Sequence, residues 1–548
     1  MLAARPLGET LDQRQRWLLL GSLMLSMFIG ALDQTIMSTA TPNILADLGG
    51  FALLSWVFTT YMLASTVVVP LVGKLSDIFG RKIFIMCGII TFMAASAACG
   101  AAVSMPMLIA ARAAQGIGGG MIFASVFSTI GDIFTPVERG KYMGLFTGTF
   151  TLASVLGPTI GGLLTDHAGW RWVFYINVPF SLMALPAVWR NLPSRPSGRR
   201  PKIDFLGSAL LSACTVSLLL ALVWAGEEYG WGAPLTLALL AAAAVLAVAF
   251  TLQERRHPEP IIPLHLFRNR IFLLSNLIVF TLGAGMFAVV TYLPTFVQTA
   301  MGASATASGL ITTPQSIGVL ITSIVGGQLM TRTGRYRAQS IFGAVMLLCS
   351  MSLLLTLGVG TPKWHVSAFM VLLGLGSGLV MPTMSVVIQN AVAHEYLGVA
   401  TSSRQFFMQI GSVMGTAIFG VLLATSYHSA FTDNVSPEAR QEIPAATFEK
   451  FNDPTLALDE GNFAIVQAET RNLPGGEALL ADAVNAQKEG ITVAMHHIII
   501  GGLGLMALTL ALCCLLQEVP LRRAFGSAAG GEGGGSEAEP LHPAIVEI

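Results

Sequence analysis

Charged side chains are scarce in this chain. Only 11% of the 548 residues are Asp, Glu, Lys or Arg, while 53% are hydrophobic; water-soluble domains carry roughly 25% charged residues. That composition excludes an ordinary water-soluble enzyme. Net charge is missing as well, because 30 basic residues balance 30 acidic ones, so no global field draws a nucleic acid to the chain. A Walker A sequence is absent, which counts against ATP hydrolysis. HExxH and GxSxG are absent too, which counts against the commonest hydrolases. The six cysteines (Cys87, Cys99, Cys214, Cys349, Cys513 and Cys514) form no CxxC pair. All fall inside apolar stretches, where thiols behave as small apolar groups, so neither a disulfide framework nor a metal site is expected. No cofactor is called for.

What the chain has is apolar stretches of about 20 residues, recurring from Trp17 to Cys514. Each is long enough to cross about 30 Å of hydrocarbon as a helix, which satisfies its own backbone. We count about fourteen, which makes an all-α polytopic membrane protein. Basic residues precede the first run, as in a signal peptide, but the further runs make it an uncleaved first helix. Lys and Arg fall in alternate loops: Arg14 and Arg16 before span 1, Lys74, Arg81 and Lys82 after span 2, Arg139 and Lys141 after span 4. Arg195, Arg199, Arg200 and Lys202 follow span 6, Arg255, Arg256, Arg268 and Arg270 follow span 8, Arg332, Arg335 and Arg337 follow span 10, and Arg522 and Arg523 follow span 14. By the positive-inside rule both termini are expected in the cytoplasm, which requires an even number of spans.

Residues 1–192 hold six spans, 193–260 a basic, Pro-rich link with two more, and 261–425 five more. A polar insert at 426–490 precedes the last span at 491–517, and 518–548 form a tail whose GGEGGGSEAEP composition argues for disorder. From Ser426 to Gly490 there are 11 acidic and 4 basic residues, so the insert is expected in water on the outer side, as a candidate docking point for a periplasmic partner. Within it Leu479, Leu480, Ala483 and Val484 have helical spacing, which predicts an amphipathic helix over Glu477–Gly490 leading into span 14. The chain also repeats itself. Gly73, Leu75, Gly80 and Arg81 after span 2 align with Gly327, Leu329, Gly334 and Arg335 after span 10, which points to two parallel six-helix halves with spans 7 and 8 inserted between them.

Several motifs recur in order. They are Leu32-Asp-Gln-Thr-Ile36 with Pro42, Trp56 through Tyr61 and Leu63, the Gly73–Lys82 loop, and Arg112-Ala-Ala-Gln-Gly116. Gly157-Pro-Thr-Ile-Gly-Gly162 and Trp170-Arg-Trp-Val-Phe174 with Asn177 and Pro179 complete the set. Together they resemble the major facilitator superfamily, and within it the fourteen-span drug:proton antiporters. The resemblance is dense over spans 1 to 6 and looser beyond. It implies export of drugs in exchange for protons.

Asp33 is the most informative single residue, since a carboxylate within an apolar span is expensive and faces a cavity or a partner. Arg112 enters span 4 from the opposite side at a similar depth, so a pair is geometrically allowed. The two are the candidates for proton coupling or for contact with a cationic substrate; the alternative is a structural ion pair. Gly73 and Gly80 permit a tight turn, and Asp77 sits where a carboxylate meets a helix N-terminus or a cation. Asp77, Arg81, Asp132 and Arg139 are expected to form one charge cluster that latches the cytoplasmic side, as the family's use of this loop implies. The alternative is solvated charges that only fix topology. Thr331 replaces Asp77 in the second copy, so a latch there should be weaker. Gly157, Pro158, Gly161 and Gly162 allow close packing of span 5, and the family associates this element with antiporters. Gln34, Gln115, Asn276, Gln298, Gln315, Gln389 and Gln405 are candidate cavity residues. Arg404 and Gln409 are further polar groups in or near spans.

The expected protein is thus a proton-coupled exporter of amphipathic or cationic small molecules, embedded in the bilayer of a bacterial inner membrane. Export of one metabolite, lipid or siderophore by the same fold is the nearest alternative. A non-transporting receptor or scaffold is a remoter one.

Overall fold

In hydrocarbon the backbone has no water to bond, so a spanning segment is driven to close its hydrogen bonds within one helix. A computed structural model of the chain describes residues 11–50, 53–194, 202–227, 230–454, 456–458 and 460–521. The described residues are almost wholly helical, with no strand among them. Arg195, Arg199, Arg200, Arg522, Arg523 and the tail from Gly526 lie outside the described residues.

Fourteen helices are long and apolar enough to cross a membrane. They are α1 (Gln13–Leu48), α2 (Leu54–Phe79), α3 (Arg81–Gly100), α4 (Met105–Ile133), α5 (Pro136–Ala168), α6 (Arg171–Asn191) and α7 (Phe205–Glu227). The rest are α8 (Pro234–Arg256), α9 (Arg270–Thr299), α10 (Ala307–Thr333), α11 (Arg337–Leu354), α12 (Lys363–Asn390), α13 (Leu397–Asn434) and α14 (Gly476–Leu515). Local chemistry sets the starts. Asp12 and Gln15 form a reciprocal capping box at α1, and Thr135 with Glu138 does the same at α5.

Helices α1–α6 pack into one half and α9–α14 into another. The halves meet where α5 lies on α10 and α12, and where α2 and α4 lie on α13. Close approach needs bare backbone: a Cβ on Gly140 would stand 2.9 Å from Gly327 O. The inserted α7 packs on α8 and touches both halves, α2 on one side and α13 on the other. Lys74 of α2 also pairs with Glu259, just after α8, at 2.9 Å.

At one end of the bundle lie the turns that carry most of the basic residues; we refer to it as the basic end. At the other, Asp47 accepts hydrogen bonds from Arg171 (2.6 Å) and Trp170 (3.0 Å), tying α1 to α6. The Arg171 guanidinium and the Trp170 indole hold that carboxyl below the usual carboxylate range.

The insert begins as an unbroken extension of α13. The helix expected over Glu477–Gly490 leads into the last span as the first part of the 40-residue α14. Short helices Pro437–Glu442, Ala445–Phe451 and Glu460–Arg471 fold between them. The buried carbonyl of Phe451 accepts from Tyr427 Oη (2.7 Å) and Gln487 Nε2 (3.0 Å), so one backbone group fastens the insert to both long helices.

Candidate functional site

Five helices of the first half converge on the Asp33 carboxylate. Arg112 Nη1 of α4 donates to Asp33 Oδ2 at 2.7 Å, and Gln115 Nε2, one turn on, donates to Oδ1 at 2.7 Å. Asn177 Nδ2 of α6 donates to the same Oδ1 at 2.8 Å. Ser96 Oγ of α3 accepts from Gln115 at 2.7 Å. On α2, Val57 O accepts from Arg112 Nε at 3.3 Å, and the Tyr61 ring lies 4.4 Å from the guanidinium carbon. Asp33 and Arg112 are only 1% and 2% exposed. The Asp33 carboxyl accepts from three donors, so both of its oxygens are engaged. A desolvated ion pair keeps its place only when further hydrogen bonds complete it, and Gln115 and Asn177 supply these here.

A second cluster sits at the basic end. Gly80, with φ of 93°, ends α2 and turns the chain into α3, where a side chain would be strained. Next to it Arg81 bonds Asp77, and its Nε donates to Asp132 Oδ2 at 2.8 Å. Asp77 also crosses to the other half, where its Oδ1 accepts Gly398 N–H at 3.0 Å and its Oδ2 accepts Val399 N–H at 3.1 Å. These are the first free donors of α13, whose own N-cap residue, Tyr396, makes no side-chain cap. Gly73 lets the helices come this close, since a Cβ there would run into Ser402 Oγ and stand 2.8 Å from Gly398 O. Arg139 reaches the same turn through backbone, donating to Phe134 O (2.9 Å) and Gly131 O (2.5 Å).

The other predicted residues are dispersed. Gly157 and Gly161 of α5 face Thr35 and Ile36 of α1, Pro158 lies within the same helix, and Gly162 faces open space. Of the candidate cavity residues, Gln115 belongs to the Asp33 network and Gln34 is exposed. Asn276 bonds back to Phe272 O of its own helix at 3.0 Å, near one end of α9, whereas the half-buried Gln298 lies near the other. Gln315 is half-buried in α10. Gln389 joins the halves, donating to Phe127 O (3.3 Å) and Thr401 Oγ1 (3.0 Å), and the half-buried Gln405 lies on α13 nearby. They do not gather at one depth. Sequence reasoning did not assign Ser96, Asn177, Gly398 or Val399 to a site. Asn177, a polar residue in an apolar span, was the one with a visible signal.

A model of the Major Facilitator Superfamily matches residues 23–416. The chain belongs to that superfamily. Multidrug transporter protein MdtP of Bacillus subtilis (strain 168) is 43% identical over 425 residues, 78% of this chain and 78% of that protein. Multidrug resistance protein 3 of the same strain is 35% identical over 471 residues, 86% of this chain and 90% of that protein. Among solved structures, the human organic anion transporter MFSD10 (TETRAN) aligns with a TM-score of 0.59 at 14% identity, over 92% of this chain and 100% of that one. The proton:xylose symporter XylE aligns with a TM-score of 0.57 at 14% identity, over 77% and 91%. Identities so low speak to the fold alone, and the fold is that of the major facilitators: two six-helix halves with two inserted helices. These relatives and neighbours are transporters, and the chain falls with them rather than with enzymes.

Proposed function

We propose that this major facilitator exports amphipathic or cationic compounds across the cell membrane in exchange for protons. The observation that carries the reading is the Asp33 carboxylate, buried inside a spanning helix and held by three donors. Protonating Asp33 removes the charge that holds Arg112. Proton uptake and release of the Arg112 side chain then become one event, which is how a proton is coupled to rearrangement of the first half. The names of the two Bacillus relatives support drugs as the cargo.

The placement of Lys and Arg supports a cytoplasmic basic end with both termini inside. On that orientation the Asp77 bridge closes the cytoplasmic side. Alternating access follows from rocking the halves about their seam, with the α2–α13 bridge breaking when the cytoplasmic side opens. The test is proton movement in liposomes containing the purified protein, across a panel of lipophilic cations. Wild type is expected to move protons only when a cation is present, and Asp33→Asn to lose that flux. Gradient-driven transport retained in Asp33→Asn would remove the proton role.

A second reading, export of one particular metabolite or lipid, draws support from the insert, whose Leu456–Leu458 turn packs against α9. Absence of flux with every cation would favour it.

A further inference from the structure

Arg404 is a buried charge that takes no part in either cluster. Arg404 of α13 is 6% exposed, and among the described residues no carboxylate lies within ion-pairing distance. Its Nε has no hydrogen-bond partner, and its Nη1 donates to the Met408 thioether at 3.9 Å. The Phe127 ring of α4 lies 5.8 Å from its guanidinium carbon, so the face of an aromatic ring across the seam between the halves stands where a counter-ion would. The amide oxygens of Gln405 and Gln409, on the same helix, also have no partner. A desolvated, uncompensated cation is costly, and within a spanning helix such a charge marks a functional site. Arg404 lies seven residues into α13, about 10 Å from its start at the basic end at ~1.5 Å per residue. It is therefore just beneath the Asp77 bridge and well apart from Asp33.

We propose that Arg404 binds the acidic group of an amphipathic substrate, so that the cargo includes organic acids and zwitterions. A guanidinium presents forked donors that match a carboxylate, and an aromatic ring with a thioether beside it suits the apolar body attached to one. When the halves part at the basic end, Phe127 leaves with the first half and Arg404 opens to the cavity. The inference rests on the export reading above, which supplies that motion.

The probe is tetramethylrhodamine, a zwitterion through its free carboxylate, set against its ethyl ester, the same fluorophore without the negative charge. Initial rates of proton-driven transport of both dyes are measured in the same liposome preparation, and the ratio of acid to ester is read. Arg404→Gln should lower that ratio at least tenfold, and Arg404→Lys should restore part of it. Met408→Glu keeps Arg404 and gives it a carboxylate one turn away; it too should lower the ratio at least tenfold while raising Tm. An unchanged ratio in Arg404→Gln and Met408→Glu, with both dyes slowed alike, would make Arg404 structural and overturn the proposal. Wild type that moves the ester but not the acid would also overturn it and leave the export reading standing. Wild type that moves neither dye would overturn both.

Discussion

The Gly73–Arg81 stretch and the Gly327–Arg335 stretch share their glycines and arginines, yet only one of them binds the other half of the molecule by charge. Both glycines at the head of the motif face across the seam, Gly73 toward Ser402 and Gly398, and Gly327 toward Gly140. Beyond that the copies part. Asp77 accepts two N–H groups at the start of α13, whereas Thr331 Oγ1 donates to Gly327 O of its own helix at 2.9 Å. Arg81 is buried and Arg335 is exposed. The helix that an acid at position 331 would address, α5, already carries its own capping box through Glu138, while α13 has no cap of its own. In the second copy a carboxylate still reads a helix start, but from the same half. Glu518 accepts Tyr336 N–H at 2.9 Å and Arg337 N–H at 3.0 Å, beside a Tyr336 phenol that burial pushes up to about 12. One chemistry therefore joins the two halves in one place and fastens parts of a single half in the other.

This contrast is best broken at Gly73. Gly73→Val should hold α2 off α13 and prevent closure of the basic end. Export should fall below a tenth of wild type, and the distance between spin labels at the exposed Lys141 and Arg332, on opposite halves, should lengthen. Asp77→Asn comes next. A hydrogen bond to a charged group contributes about 1.5–3 kcal/mol, so the ratio of closed to open molecules at the basic end should fall at least tenfold, read from the same pair of labels. Glu518→Gln should cost about 1–2 kcal/mol of stability, seen as a lower Tm with the label distance unchanged; a change in that distance would erase the distinction between the two contacts. The smallest effect is expected of Thr331→Asp added to Asp77→Asn. With α5 already capped, it should leave the label distances of the single variant where they are.

Much of this architecture was legible in the chain. The fourteen spans follow from length and hydropathy alone, because the bilayer imposes one rule on every segment. Asp33 and Arg112 stood out because charges there are too expensive to be incidental. Partners contributed by backbone were invisible. Gly398 and Val399 are ordinary residues whose value is that α13 begins there uncapped, 321 and 322 positions after Asp77. Arg139, expected among the charges, spends donors on carbonyls at the end of α4, a demand that no side-chain pattern announces. The insert was read as a segment between two spans because polar residues interrupt the apolar pattern. A helix persists through such an interruption when its polar groups stand beyond the hydrocarbon, as in the first part of α14.

That helix has a practical consequence. Its 40 residues extend about 60 Å at ~1.5 Å per residue, twice the roughly 30 Å of the hydrocarbon core. Half of it therefore stands clear of the lipid tails, carrying the folded insert as a handle on one surface only. A protease or antibody fragment added to intact cells meets that handle, or fails to, according to which way the whole bundle is threaded, so one surface-labelling experiment reports the direction of all fourteen helices at once.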